Sequence, residues 1–446
     1  MISANNTAVL SGPNITSVQA AAYQKATWRL IPLLAICFLA AYLDRANISF
    51  AQLQMQGDIG LSYAAYGIGA SIFFIGYFLF EIPSNLILEK VGASKWIACI
   101  MVLWGVASAL MMYVRDEKWF YILRFIIGAA EAGFMPGVIL FFTYWFPARR
   151  RAKINALFLV SVPLSGVVGG PIAGFLMTHF HEVGGLPGWQ WLFLVEGGLA
   201  VVLGMVVWFY LTDRPLHAKW LTEEERNIIV SDLASESSAT HEHHFGKALR
   251  QPEVIFLAAV DFFALIGLWG LAFWLPTLIK QTGVTDVVTI GFLSAIPYVA
   301  GAVAMVILGR SSDRTGERKK HVGIALLVAS VGYALSGLFS DNTSLSIAAL
   351  TVAAIGTFGF LPAFWTLPAK IVAGPAAAGA IALINSVANL SGAVSPYLVG
   401  EVKQLTGSTE FAMFAIAGSV LIAALLVLLG FPKKLAERDS VNYSAV

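Results

Sequence analysis

Twelve long apolar runs follow one another along this chain. A helix needs about 20 apolar residues to cross the hydrocarbon core of a bilayer, so each run predicts a membrane-spanning helix. Helices are expected because hydrocarbon offers no partner to a free backbone polar group. The predicted spans are 29–52, 62–88, 95–114, 119–146, 152–178, 190–211, 254–280, 288–310, 321–340, 344–371, 376–403 and 410–431.

The composition agrees with a membrane protein. Of 446 residues, 58% are hydrophobic and only 12% are charged, whereas an ordinary soluble domain has roughly 25% charged residues. The net charge is only +2, and no part of the chain forms a basic domain that could bind nucleic acid. Cys37 and Cys99 lie inside apolar runs and predict neither a disulfide nor a metal site. We therefore expect the apolar surface of the protein to contact the lipid bilayer.

A long polar segment divides the predicted spans into six and six. We therefore expect an all-α protein with two six-helix bundles, and a monomer. The predicted divisions are a cytoplasmic tail of residues 1–28, expected to be disordered, a bundle at 29–211, a cytoplasmic linker at 212–253, a bundle at 254–431 and a cytoplasmic tail at 432–446. The linker contains three histidines within 241–244, which we interpret as part of a solvated segment and not as a metal site.

The positions of lysine and arginine predict the orientation. Of the 28 such residues, 22 lie in the tails and in the loops on one side, four lie in the loops on the other side and two lie within spans. Basic residues concentrate on the cytoplasmic side of membrane proteins. Both termini are therefore predicted to be cytoplasmic, and the membrane is predicted to be the plasma or inner membrane.

The two halves repeat one another. Gly67, Glu89 and Lys90 have counterparts 224 residues later in Gly291, Asp313 and Arg314, and Pro171 has a counterpart 225 residues later in Pro396. Parallel six-span repeats are typical of transporters in which the substrate site forms between the halves. No phosphate-binding loop for ATP and no enzyme signature is found in the sequence.

The loop after the eighth span reads Gly-Arg-Ser-Ser-Asp-Arg-Thr-Gly-Glu-Arg-Lys from Gly309. It resembles the loop signature G-x-x-x-D-R-x-G-[RK]-[RK] of the major facilitator superfamily, with Glu317 departing from the first basic position. The earlier copy is more degenerate. The resemblance implies a major facilitator fold and a gating role for Glu89, Lys90, Asp313 and Arg314; the alternative is that the basic residues only anchor the loops.

Four charged residues lie well inside predicted spans, namely Asp44, Arg45, Arg124 and Glu131. A charge at the bilayer centre costs at least about 2.5–3.5 kcal/mol, so such residues usually have a function. The alternative is a pair of structural salt bridges. Arginine can grip a carboxylate with two hydrogen bonds. An anionic substrate that competes for the arginine would favour protonation of the neighbouring acid, so substrate and proton would bind cooperatively. Glu81 and Glu196 are expected nearer the span ends, and the role of Asp261 stays open.

The segments around these charges resemble one branch of the superfamily, the anion:cation symporters, and within it bacterial permeases for hydroxyphenylacetate, tartrate and phthalate. The resemblance covers about residues 25–431 and includes Tyr42-x-Asp44-Arg45-x-Asn47 and the segment from Arg124 to Gly137. It implies proton-driven import of organic anions, with Arg45 as the ligand of the substrate carboxylate, Asp44 and Glu131 as protonation sites, and Arg124 as the partner of an acid.

In the second half, Asn385 and Asn389 lie four residues apart in an apolar span and share one helical face. We expect them to bind substrate, although hydrogen bonds between helices are an alternative. Trp365, between Pro362 and Pro368, predicts a broken helix with an aromatic wall, or simply a core residue.

The sequence therefore favours a secondary transporter that imports a small organic anion with protons and uses the proton gradient in place of a cofactor. An aromatic acid is the first expectation and a tartrate-like dicarboxylate the second. Exchange or export of the anion, a membrane sensor and a channel are the alternatives.

Overall fold

The computed structural model describes residues 13–237, 251–368 and 375–432, and within them the chain is helical. The histidines at 241–244 lie outside these residues. The helices of the first half and the linker are α1 (Pro13–Asp58), α2 (Tyr63–Val91), α3 (Ala93–Leu110), α4 (Glu117–Glu131), α5 (Phe134–Trp145), α6 (Ala148–Leu159), α7 (Ser161–His179), α8 (Gly188–Tyr210) and α9 (Glu223–Ser237).

The second half repeats this order. Its helices are α10 (Pro252–Gln281), α11 (Val287–Thr315), α12 (Arg318–Leu338), α13 (Thr343–Gly359), α14 (Leu361–Phe364), α15 (Pro375–Asn389), α16 (Ser391–Thr406) and α17 (Glu410–Gly430). Four of the predicted spans are each built from two consecutive helices, namely α4 with α5, α6 with α7, α13 with α14, and α15 with α16.

Eleven stretches of the described residues are long and apolar enough to cross a membrane. The remaining predicted span, the eleventh, corresponds to α15 and α16, which are separated at Leu390. The prediction of a twelve-span, two-bundle protein is confirmed. The boundary of the first span differs from the prediction, because α1 starts at Pro13 and is 46 residues long.

The prediction of a disordered tail is wrong for residues 13–28. This segment is the amino-terminal part of α1, and it packs on the linker helix α9. The amide of Gln19 donates to Asp232 over 3.1 Å, the hydroxyl of Tyr23 donates to the same carboxylate over 2.7 Å, and Lys25 pairs with Glu225 at 3.0 Å. The segment is rich in alanine and glutamine, which favour helix, and these contacts stabilise it.

The sequence repeat reappears as two equivalent contacts between the bundles. A methyl group added to Gly67 of α2 would lie 2.7 Å from the carbonyl oxygen of Pro396 in α16, and one added to Gly170 of α7 would lie 2.5 Å from the carbonyl oxygen of Gly291 in α11. Glycine at these positions lets the backbones of two helices approach closely. The two bundles are therefore related as the sequence repeat predicts.

These contacts lie at one end of the bundles. We call it the distal end, where α1 and α10 finish, and we call the opposite end, which carries α9, the linker end. Three hydrogen bonds also join α1 and α2 to α10 in the distal half: from Tyr66 to the carbonyl of Phe273 at 2.7 Å, from Thr277 to Gln52 at 3.0 Å and from Lys280 to the carbonyl of Leu53 at 3.0 Å. The bundles are thus joined at the distal end.

Candidate functional site

The four intramembrane charges predicted from sequence come together in the amino-terminal bundle. Asp44 and Arg45 lie in the middle of α1, and Arg124 and Glu131 lie two turns apart on α4. All four are buried, Glu131 completely, whereas Arg45 keeps 8% of its surface exposed. α4 ends at Glu131, where Ala132 and Gly133 separate it from α5, so the acid lies at a break in the fourth span.

Arg45 and Glu131 form the ion pair of the cluster. The Nε atom of Arg45 lies 2.5 Å from Oε1 of Glu131, while Oε2 of Glu131 has no hydrogen-bond partner. The guanidinium also lies over the rings of Tyr42 and Tyr77, with 4.9 Å and 5.1 Å to their centroids. Aromatic faces attract a cation, so Arg45 is held by a carboxylate on one side and by aromatic rings on others.

Asp44 is held by neutral donors. The hydroxyl of Ser108 from α3 donates to Oδ1, as does the amide of Asn47 at 3.1 Å. The second oxygen, Oδ2, is buried and has no partner. Glu196 of α8 interacts with Asn47 and is also buried, with 5% exposed. The expectation that Glu196 lies near the interface is therefore wrong, because it extends the acidic side of the cluster.

Arg124 differs from the expectation that it would pair with an acid. No carboxylate of the described residues lies within 4.0 Å of it. Its Nε donates weakly to the carbonyl of Gly69 at 3.4 Å, its Nη2 has no partner, and its guanidinium lies 4.7 Å from the centroid of the Phe73 ring. Arg45 thus holds the carboxylate in this structure, and Arg124 keeps a free donor.

The second bundle packs against α2 beside this cluster. Trp269 of α10 packs against Phe74 of α2, with 4.6 Å between ring centroids, and Gly392 of α16 also lies against Phe74. Asn385 and Asn389 belong to the last turns of α15, which ends just before the break at Leu390, and both α15 and the following α16 contact α2. Both amides are partly exposed, and neither has a hydrogen bond recorded among the described residues.

Trp365 lies at the linker end of the tenth span. The helix break predicted there is present, because α13 ends at Gly359 and the short α14 follows. The ring of Trp365 meets the ring of Phe364 edge to face at 5.6 Å, and its side chain is partly exposed. Trp365 therefore belongs to an aromatic group of the second bundle, and among the described residues it makes no contact with the four charges.

The predicted gating residues lie at the linker end. Glu89 and Lys90 lie in the last turn of α2 and are exposed, as are Asp313 and Arg314 near the end of α11. Asp313 pairs with Arg318 at 2.7 Å within its own loop. A different acid, Asp213, contacts the amino-terminal end of a helix at this end of the protein. Its carboxylate accepts a hydrogen bond from the backbone N–H of Ser94 at the start of α3, at 2.7 Å. Sequence reasoning missed this residue.

The chain matches the family model described as Major Facilitator Superfamily over residues 34–396 and 285–442. This chain belongs to that superfamily. It is 45% identical over 420 residues to the "Putative metabolite transport protein NicT" of Pseudomonas putida, covering 94% of this chain and 96% of that protein. It is 47% identical over 414 residues to a "Putative tartrate transporter" of Agrobacterium vitis, covering 92% of each.

The fold also matches solved structures of the superfamily. The inward open conformation of the xylose transporter XylE from E. coli superimposes with a TM-score of 0.73 at 14% identity and covers 93% of this chain and 99% of that one. An identity this low shows the fold alone. Membership of the superfamily makes this chain a multi-pass membrane transporter of a small molecule and not an enzyme. The sensor and channel alternatives therefore lose their support.

Several residues around the cluster were not expected from the sequence. Ser108 and Glu196 are buried and come from spans distant in sequence. The one sequence signal that could have pointed to them is the presence of a polar residue within an apolar run. Asp261 is also fully buried, and neither carboxylate oxygen has a hydrogen-bond partner among the described residues. It is not part of the cluster around Arg45.

Proposed function

We propose that this transporter imports a small organic carboxylate together with protons, by alternating access between its two bundles. The observation that carries the proposal is the ion pair between Arg45 and Glu131. The pair joins a permanent cation to a titratable acid, and Arg45 keeps some exposure whereas Glu131 keeps none. In the proposed transport cycle, the exposed part of Arg45 is reached from between the bundles. A carboxylate that reaches Arg45 from that side meets a donor already suited to binding a carboxylate.

The pair supplies a physical reason for coupling. A substrate carboxylate and Glu131 compete for the same guanidinium, so substrate binding weakens the hold of Arg45 on the acid. A buried carboxylate that loses its cation is costly to keep charged, and protonation removes that cost. The proton then favours the substrate by the same factor by which the substrate favours the proton. Asp44 is the second proposed protonation site, because one of its oxygens is free of hydrogen bonds.

Orientation and energy source belong to the same proposal. Basic residues are in excess at the linker end, which favours an orientation in which the linker end and both termini lie in the cytoplasm. The closed distal end then faces outwards, and this state would release substrate to the cell interior. The proton gradient is the proposed energy source, with no cofactor and with one chain as the transporting unit.

Several features bear on the substrate. The aromatic rings at Tyr42, Tyr77 and Trp269 favour an aromatic acid, which was the first expectation. The second candidate is a hydroxy-dicarboxylate. It is favoured by the name of the relative from Agrobacterium vitis and by the unpartnered Nη2 of Arg124, which is buried in this structure and would bind a second carboxylate in a state that exposes it. The partly exposed amides of Asn385 and Asn389 suit the hydroxyl groups of such a compound.

Uptake into proteoliposomes tests the proposal. The panel contains 4-hydroxyphenylacetate, phthalate, tartrate and a sugar acid, each under an imposed inward proton gradient with and without a protonophore. Protonophore-sensitive accumulation of one compound is expected, and its chemistry separates the two candidates. Arg115→Ala, which changes an exposed arginine of a distal loop, is the matched control for Arg45→Ala. Accumulation that Arg45→Ala leaves intact would remove the binding role of Arg45. Uptake insensitive to both gradient and protonophore would contradict proton coupling.

A further inference from the structure

A cavity of about 630 Å³ lies at the linker end of the amino-terminal bundle, away from the four intramembrane charges. One wall is the amino-terminal part of α1, which includes Tyr23 and Trp28. The opposite wall is the start of α6, with Arg150 and Lys153. The cavity exists because residues 13–28 form a helix that stands beside α6.

The cavity is positively charged. Arg149 lines it but is neutralised by Asp232, whose carboxylate lies 2.5 Å away. Arg150 and Lys153 have no carboxylate within 4.0 Å among the described residues. The guanidinium of Arg150 lies 4.3 Å from the centroid of the Tyr23 ring, and its buried Nε has no hydrogen-bond partner. Two cations of this cavity therefore remain available to an anion.

The rim of the cavity is apolar and open. Trp28 is 73% exposed and Leu157 is 44% exposed, and both line the cavity beside the cations. Trp28 immediately precedes the first apolar run, at the level where tryptophan concentrates in membrane proteins. A ligand that suits this site therefore combines a negative head with an apolar body.

We propose that this cavity binds the headgroup of an anionic phospholipid. The phosphate would accept hydrogen bonds from Arg150 and Lys153, and the acyl chains would leave along Trp28 and Leu157 into the bilayer. Basic pockets beside spans at the cytoplasmic face are suited to such headgroups. A free phosphate would satisfy the cations but would leave the apolar rim in water. The proposal concerns a separate site and does not depend on the transported substrate.

Native mass spectrometry of the full-length protein tests the proposal. Wild type, Arg150→Gln/Lys153→Gln and Lys153→Gln would each be titrated with phosphatidylglycerol, with phosphatidylcholine of matched chains and with inorganic phosphate. Lys95→Gln is the matched control, since Lys95 is an exposed cation at the same end and does not line the cavity. The single Lys153 variant guards against misfolding, because Lys153 is exposed.

We expect wild type and Lys95→Gln to bind phosphatidylglycerol in preference to phosphatidylcholine. The affinity for phosphatidylglycerol should fall about fivefold for each cation removed, as expected for a basic residue at a charged membrane surface. Equal phosphatidylglycerol binding by wild type and the double variant would overturn the proposal. Binding of inorganic phosphate as tight as that of phosphatidylglycerol would overturn the lipid assignment, because the apolar rim would then contribute nothing.

Discussion

The Nε atom of Arg45 lies 2.5 Å from a carboxylate oxygen of Glu131, although 86 residues separate them in sequence. The acid is fully buried, and the base is the one member of the pair that keeps some exposure. In the proposed transport cycle, the substrate therefore contacts the guanidinium before it contacts the acid. The order of events in the proposed transport cycle follows from this asymmetry.

Replacement of Arg45 by alanine should leave the buried Glu131 without its cation. Removing one partner of a buried pair typically costs roughly 3–5 kcal/mol, so the midpoint of thermal unfolding in detergent should fall. The double variant Arg45→Ala/Glu131→Gln should recover most of that loss, because the unpaired charge is gone, and yet should not transport. Recovery of transport in the double variant would contradict a substrate-binding role for Arg45.

Replacement of Glu131 by glutamine should separate proton coupling from substrate movement. The amide keeps the shape of the acid but cannot be ionised, so accumulation driven by a proton gradient should be lost. Counterflow of labelled substrate into preloaded vesicles should persist. Glu117→Gln, which changes an exposed acid at the start of α4, is the control and should keep both activities. Gradient-driven accumulation by the Glu131 variant would assign proton coupling to another residue.

The closed distal end should open when its glycines are changed. Alanine at Gly67 and Gly170 would place a methyl group 2.7 Å and 2.5 Å from carbonyl oxygens of the other bundle, closer than such atoms can approach. The measurement is alkylation of a cysteine at the buried Thr277, in a protein whose two native cysteines are replaced. We expect the rate to rise roughly fivefold or more, which corresponds to about 1 kcal/mol in the equilibrium between conformations.

The control for this experiment is Gly198→Ala, since a methyl group there would meet nothing within 4 Å. It should leave the alkylation rate of the cysteine at position 277 unchanged. An unchanged rate in the Gly67/Gly170 variant would show that the helices can separate slightly without opening the distal end.

The contact between α1 and α9 should depend on pH only in acid. Burial would raise the pKa of Asp232, but hydrogen bonds from Arg149 and Tyr23 outweigh burial and lower it below the usual value of 3.8. A carboxyl with a lowered pKa stabilises the folded state above its usual pKa and loses that effect as the pH falls through the lowered value. The contribution should therefore be constant from about pH 5 to pH 7.

The variant Asp232→Asn measures that contribution. We expect a loss of about 1–2 kcal/mol in the local opening of residues 13–28, since the hydrogen bonds to a charged acceptor become neutral ones. Hydrogen exchange of peptides from this segment, compared between wild type and variant at several pH values, gives the difference. A difference that changes between pH 5 and pH 7 would mean that another group controls the contact.

The sequence by itself determined the class of the protein. Two six-span bundles followed from twelve apolar runs of sufficient length, a polar linker in the middle, and the correspondence of Gly67 with Gly291. These features can be read directly from the order of residues, without knowledge of which segments contact one another. The four intramembrane charges were also visible, since a charge in an apolar run is costly wherever it lies.

Only the tertiary structure decided which charges meet. The sequence permitted either arginine to hold an acid, and it is Arg45 and not Arg124 that pairs with Glu131. The same holds for the contact of Asp44 with Ser108 and for the contact of Tyr23, in the segment 13–28, with Asp232 more than two hundred positions away. Pairing within a membrane depends on how neighbouring helices are rotated and how closely they pack, and these are set by many contacts between distant segments, which no local pattern records.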